Sequence, residues 1–191
     1  SKKHHMIPQA TEHSAVLDTF KTIEKKGWEI SILPVNQNGE VNPQDVADAI
    51  REDTVLVAIM HANNEIGTIQ PIKKIGEICK GNNILFFVDA CQTFGKLEIN
   101  VKDMKIDLLA ATAHKLYGPK GIGFLYVCQK DPKVTLEMQM DGGGHERGYR
   151  SGTLPVPLIV GFSKATEICI QKREAEYCSL GKFRDLLLNG I

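Results

Sequence analysis

The stretch Asp107-Leu-Leu-Ala-Ala-Thr-Ala-His-Lys-Leu-Tyr-Gly-Pro-Lys-Gly-Ile-Gly-Phe-Leu-Tyr-Val127 decides how the chain is read. Its first half, Leu108 to Ala113, is apolar and small enough for a buried strand, and His114-Lys115 follows where that strand should end. Tyr117-Gly118-Pro119-Lys120-Gly121 is turn punctuation, and a second apolar run occupies Ile122 to Val127. A solvated lysine needs no such setting. A lysine that has to react as a neutral amine does, because burial favours the uncharged form and makes it a nucleophile.

Outward from this stretch the pattern alternates. Residues around Met6-Ile7 close a short strand, and Ser14 to Lys26 carries Val16, Phe20 and Ile23 at helical spacing with Gly27 as a stop. Trp28 to Val35 reads as a strand. Asn42-Pro43 reads as the cap and first-turn proline of a helix that turns Val46, Ala49 and Ile50 inward. Thr54 to Met60 and Ile84 to Val88 are strand-like, and Pro71 to Lys80 is helix-like with Gly81 after it. Continuously apolar strands separated by helix-length segments predict an α/β fold, a mainly parallel sheet covered on both faces by helices. From Val156 the pattern is helical, one helix carrying Ile159, Val160, Ala165 and Ile168 and a second carrying Leu180, Phe183 and Leu187. The expected organisation is a core over residues 1–154 and a helical segment over 155–191 that leads toward a further, smaller domain. The start lacks an initiator Met and the end lacks a natural cap, so the 191 residues are expected to be part of a longer chain.

Composition narrows the classes. Twenty-three basic and 23 acidic residues give a net charge of zero, which leaves no electrostatic footprint for nucleic acid or an anionic membrane. The apolar runs are strand-sized, too short to span a bilayer. Five cysteines, an odd number with no CxxC pair, argue against a disulfide framework or structural zinc and for a reducing compartment, the cytoplasm. The six histidines show no metal-ligand spacing, and no metal site is expected.

In open parallel sheets, ligands bind beyond the carboxyl ends of the strands. The segments that follow the predicted strands are polar: Thr11-Glu12-His13, His61-Ala62-Asn63-Asn64-Glu65, Asp89-Ala90-Cys91-Gln92 and Thr112-Ala113-His114-Lys115. Taken singly, each has an ordinary structural explanation, as a cap, a turn or a snorkelling side chain. Together they offer a carboxylate, an amine, two imidazoles, amides and a hydroxyl. Pyridoxal phosphate needs this inventory: a lysine for the Schiff base, a carboxylate for the pyridine nitrogen, and hydroxyl, imidazole and N–H donors for the phosphate. No GxGxxG or P-loop follows a strand, which sets aside a nucleotide-binding domain.

The strings TEHSAVLDT (11–19), HANNEIGTIQPI (61–72), VDACQTFGK (88–96), AHKLYGPKGIG (113–123) and GGGHERGYRSGTLP (142–155) resemble the cysteine desulfurases, the NifS/IscS-like branch of the class-V aminotransferases. The resemblance implies a fold-type-I pyridoxal phosphate enzyme, active as a homodimer, that removes sulfur from L-cysteine to leave L-alanine and a protein persulfide. Iron–sulfur scaffolds or tRNA-thiolation enzymes would receive the sulfur. By the same resemblance Lys115 is the Schiff-base lysine and carries the Cα proton, Asp89 partners the pyridine nitrogen, and Gln92 and Asn64 approach the phenolic oxygen. His13 would stack on the ring and move protons, Thr112 and His114 would hold the phosphate, and Thr153 would reach the phosphate of the partner subunit. Thr112 stands where a serine is more usual in the family. None of the five cysteines matches the family's persulfide position, and Cys91, between Asp89 and Gln92, is expected to be only a small buried residue. The 191 residues are therefore expected not to turn over alone. A selenocysteine lyase and a non-catalytic dimerisation module are the rival readings, and retention of both Lys115 and Asp89 argues against the second. In a eukaryote the mitochondrial matrix is the expected alternative compartment.

Overall fold

The computed structural model describes residues 4–191, which form two compact units. One takes in the chain up to Thr93 together with Ile99–Ala111 and Phe124–Glu137. The other comprises Phe94–Glu98, Thr112–Gly123 and Met138–Ile191.

The first unit is built on a six-stranded sheet of order β2-β1-β3-β4-β5-β6. Its strands are β1 (His5–Pro8), β2 (Glu29–Ile30), β3 (Thr54–Met60), β4 (Leu85–Asp89), β5 (Leu108–Thr112) and β6 (Gly123–Val127). The β1–β2, β1–β3, β3–β4 and β4–β5 pairs are all parallel. Central β3 explains why continuous apolar runs mark the interior: Val57, Ala58, Ile59 and Met60 are each 0% exposed. The edges read differently. β2 holds two paired residues of the longer expected strand, continued by an isolated bridge between Gln9 and Leu33. On the opposite edge, Phe124 and Leu125 of β6 are exposed.

Three helices accompany these strands. Helix α1 (Ser14–Glu24) starts at His13, whose Nδ1 accepts from Ala15 N at 3.1 Å. Helix α2 (Pro43–Ala49) starts at Asn42, whose side chain accepts from Gln44 N at 3.1 Å. Helix α3 (Ile72–Gly81) buries Ile72, Ile75, Gly76 and Cys79, one face of the helix, at i, i+3, i+4 and i+7.

The second unit holds one turn of 3₁₀ helix (Ala113–Leu116), a glycine-rich loop with a second 3₁₀ turn (Glu146–Gly148), and the helix α4 (Val156–Gly190). Ala113, Leu116, Phe162 and Cys169 form its core, with Phe94, Ile122 and Ala165 packed on it. Phe94 and Phe162 meet edge to face, 6.1 Å between ring centroids. The two helices expected after Val156 are one. Between Ser163 and Leu180 nothing breaks a helix, and Gly181 is tolerated inside it at a cost of about 1 kcal/mol.

Candidate cofactor site

Parallel pairing of β1, β3 and β4 brings their carboxyl ends to one edge of the first unit. The register is explicit: Met60, last in β3, pairs with Asp89, last in β4, and Asp89 pairs with Ala110 of β5. The backbone stays laced past the strand ends, with His61 N donating to Asp89 O and Ala90 N to Ala110 O, both at 2.9 Å. Asp89 is 7% exposed, and its Oδ1 accepts from Cys91 N at 2.9 Å, so the carboxylate shapes the turn that carries Cys91 and Gln92. Gln92 is half-buried.

Segment 61–67 reaches across to the segment that follows β1. Asn63 donates through Nδ2 to Thr11 O at 3.0 Å, and its Oδ1 accepts from Glu65 N and Ile66 N at 2.8 and 3.0 Å. Asn63 is thus the structural member of the pair, whereas Asn64 is exposed. His13 is exposed as well. Its Nδ1 is taken up as an acceptor by the cap of α1, which leaves Nε2 as the ring nitrogen that carries the proton of the neutral tautomer.

Two residues in this unit were placed at strand ends by the sequence but given no role there. Glu12 is 6% exposed, and burial pushes its pKa up to about 8, from an ordinary 4.5. His61 is 4% exposed with no partner for Nδ1, and burial lowers its pKa to about 4. The only sequence signal was a titratable side chain directly after an apolar run, which also describes most turns.

In the second unit, Thr112, Ala113, His114 and Lys115 are consecutive. Thr112 Oγ1 lies 2.9 Å from His114 Nδ1, so a hydroxyl and an imidazole are already paired. Burial of Ala113 and Leu116 pins the 3₁₀ turn, and it closes at Tyr117 with φ 63°, a left-handed conformation, where Gly118 N returns to Ala113 O. Lys115 is half-buried and, among the described residues, has neither a carboxylate nor a hydrogen-bond partner. The glycine-rich loop folds on itself. Ser151 is buried and donates to Gly142 O, Gly152 N donates to His145 Nδ1 at 3.2 Å, and Thr153 is left exposed. Gly142, Gly144, Gly148 and Gly152 all have positive φ, which explains the glycine spacing.

Comparison with known proteins gives the family. The model of the class-V aminotransferases matches residues 1–179. The chain belongs to the class-V aminotransferase family. It is 51% identical over all 191 residues to the cysteine desulfurase IscS of Histophilus somni (strain 2336), of which it covers 47%. A solved NifS-like protein superposes with a TM-score of 0.94 at 39% identity, over 100% of this chain and 52% of that one. A structure of SspA in complex with cysteine matches with a TM-score of 0.83 at 45% identity, over 86% of this chain and 47% of that one. The chain thus spans about half the length of these relatives. Its fold is the parallel-sheet, helix-flanked fold of the NifS-like class-V enzymes.

The donor set fits pyridoxal phosphate. Taken unit by unit, the first carries a buried carboxylate of the kind a pyridine nitrogen requires, and the second a hydroxyl–imidazole pair for a phosphate and a half-buried amine with no counter-charge among the described residues.

Proposed function

We propose that the chain is the pyridoxal phosphate-binding part of a cysteine desulfurase, a sulfurtransferase that converts L-cysteine to L-alanine and leaves the sulfur as a protein persulfide. The observation that carries this reading is Lys115. It is half-buried on a turn pinned by Ala113 and Leu116, has no counter-ion among the described residues, and follows directly on the Thr112–His114 pair. A structural lysine in such a place would be expected to meet a carboxylate. A Schiff-base lysine must not, because an ion pair would hold the amine in its charged, unreactive form.

When bound, pyridoxal phosphate supplies an electron sink for negative charge at the substrate Cα. Each side chain then has a definite task. Lys115 would hold the cofactor through its amine and would serve as the base for the substrate Cα proton. Asp89, buried and already oriented by Cys91 N, holds a proton on the pyridine nitrogen. Gln92 and Asn64 donate to the phenolic oxygen, and Thr112 and His114 to the phosphate, with Thr153 serving the phosphate of the partner subunit in a homodimer. His13 would stack on the ring and move protons through Nε2, the nitrogen its capping role leaves open.

Sulfur transfer breaks the substrate Cβ–S bond, forms an S–S bond on a protein thiolate, and returns a proton to Cβ. Cys79, pushed up to about 12 by burial, and Cys169, also raised by burial, are poor thiolates. By the family resemblance none of the five cysteines stands at the persulfide position, so we place the accepting thiol in the part of the relatives' length that this chain does not cover, with an iron–sulfur scaffold or tRNA-thiolation enzyme receiving the sulfur next. No described helix is long and apolar enough to cross a membrane, and the proposed compartment is the cytoplasm.

Borohydride reduction of the protein with added pyridoxal phosphate, followed by peptide mapping, tests this reading. The expected result is a pyridoxyl mass on the Lys115 peptide that disappears in Lys115→Ala. Adducts scattered over exposed lysines, unchanged in that variant, would overturn it.

A further inference from the structure

Behind Asp89 lies a buried polar group that the proposed chemistry does not use. Gln9 (0% exposed) ends the parallel pairing of β1, and Glu12 (6% exposed) sits one residue before His13. Their side chains grip the same residue of β3. Gln9 Nε2 donates to Met60 O at 3.2 Å, and Met60 N donates to Glu12 Oε1. Met60 is the register partner of Asp89, so this grip closes on the strand end beside that carboxylate.

The two remaining oxygens, Gln9 Oε1 and Glu12 Oε2, are both buried and both lack a partner. The Gln9 amide lies beside the Glu12 carboxyl. Two acceptors cannot satisfy one another, and leaving them unmatched in the interior is costly. One proton resolves both. A proton on Glu12 Oε2 would turn that oxygen into a donor that Gln9 Oε1 could accept; the hydrogen bonds from Met60 and Gln9 favour the charged form, and burial, the largest influence, outweighs them.

We propose that Glu12 is a positioning residue that works as a neutral carboxylic acid: with Gln9 it clamps both backbone groups of Met60, and so fixes the start of α1 and the ring of His13. The tie between Asn63 Nδ2 and Thr11 O holds the same segment one residue earlier. Among the described residues, the groups that act on Glu12 are the Met60 amide of β3, Gln9 after β1 and Asp89 of β4, of which Asp89 is the one carboxyl group. Keeping Glu12 neutral spares the strand ends a second buried anion beside the one that the pyridine nitrogen needs. The consequence for the cofactor rests on the function proposed above, while the clamp itself does not.

Ionisation has a definite sign. Burial, with a further contribution from Asp89, raises the Glu12 pKa from 4.5 to about 8. The native state therefore holds a proton that the unfolded chain releases at lower pH. The stabilisation is complete below the ordinary glutamate range and is lost as pH rises toward about 8.

Glu12→Gln and Glu12→Ala test this, each read by thermal melting of the protein without cofactor and by pyridoxal phosphate binding followed by absorbance across pH. Glutamine keeps an acceptor for Met60 N and supplies a permanent donor to Gln9. We expect Glu12→Gln to melt as the parent does near pH 4.5 and to remove the parent's fall in Tm from there to about pH 8. The pH dependence of the cofactor band should flatten in parallel. Glu12→Ala should melt lower throughout and bind the cofactor about tenfold more weakly. Glutamine as damaging as alanine near pH 4.5, or a parent and glutamine variant that respond to pH alike, would overturn the proposal. If the melting pattern holds but no adduct forms at Lys115, the clamp stands and the cofactor reading falls.

Discussion

Asp107 shows how much a single side chain can organise in this sheet. It is 6% exposed just before β5, and it pairs with both backbone groups of Phe86 in β4: its Oδ2 accepts from Phe86 N at 2.9 Å, and its own N donates to Phe86 O at 3.0 Å. Its carbonyl also accepts from Cys128 N at 2.8 Å. Removing the carboxylate would leave a buried N–H on a residue that is 0% exposed. Asp107→Ala should therefore cost about 1–3 kcal/mol in urea unfolding. Asp107→Asn should cost much less, because the amide oxygen can still accept and burial already disfavours the charged form by raising the Asp107 pKa. Equal losses for the two variants would show that charge, not the hydrogen bond, is what matters there. The same contrast explains what could be read from the sequence at this scale. Asp89 and Lys115 stood out because a charged residue closing an apolar run has a recognisable place at a strand end. Glu12 did not, since its meaning depends on Met60, 48 residues away, and only parallel pairing brings the two together. Which of Asn63 and Asn64 holds the loop was equally invisible, as the side chain that does so differs from the exposed one only in direction.

Helix α3 illustrates the element scale. The helix was legible in the sequence as Pro71 to Lys80, and the structure moves its start by one residue and shows the buried face of Ile72, Ile75, Gly76 and Cys79. Gly76 was not explained by period. The backbone at Met104 approaches it so closely that a Cβ at Gly76 would fall well inside van der Waals contact of the Met104 carbonyl oxygen. In an open helix, alanine in place of glycine gains about 1 kcal/mol. Here the obstacle is backbone, which cannot swing aside, so Gly76→Ala should reverse that sign and destabilise by about 1–3 kcal/mol. Gly81, at the end of the same helix with open space around it, is the control: Gly81→Ala should be neutral or stabilising. A stabilised Gly76→Ala protein would mean that the 100–106 segment shifts freely. Edge strands were less legible than β3, β4 and β5 for a related reason. Burial on both faces writes an uninterrupted apolar run into a central strand, whereas two-residue β2 and exposed β6 have no such requirement.

At the scale of the molecule, the two units differ in what holds them. The first buries the sheet interior, with Ile7, Val57, Ile59, Met60, Ile75 and Phe86 all at 0% exposure. The second rests on the small cluster of Ala113, Leu116, Phe162 and Cys169, while Leu180, Phe183, Leu186 and Leu187 of α4 remain exposed. Hydrophobic stabilisation scales with apolar area removed from water, so the second unit should open at the lower free energy. Cysteines report on each unit without further labels, for Cys79, Cys169 and Cys178 are free thiols. Cys79 is fully buried in the first, and burial raises its pKa to about 12; Cys169 is 7% exposed in the second, with its pKa raised by burial as well. Both should resist alkylation until their unit opens, whereas exposed Cys178 should react at once. Mass-resolved alkylation through a denaturant series should show Cys169 becoming reactive well before Cys79. Coincident transitions would show instead that the units unfold as one cooperative body, and the Lys115 turn would then share the stability of the sheet that carries Asp89.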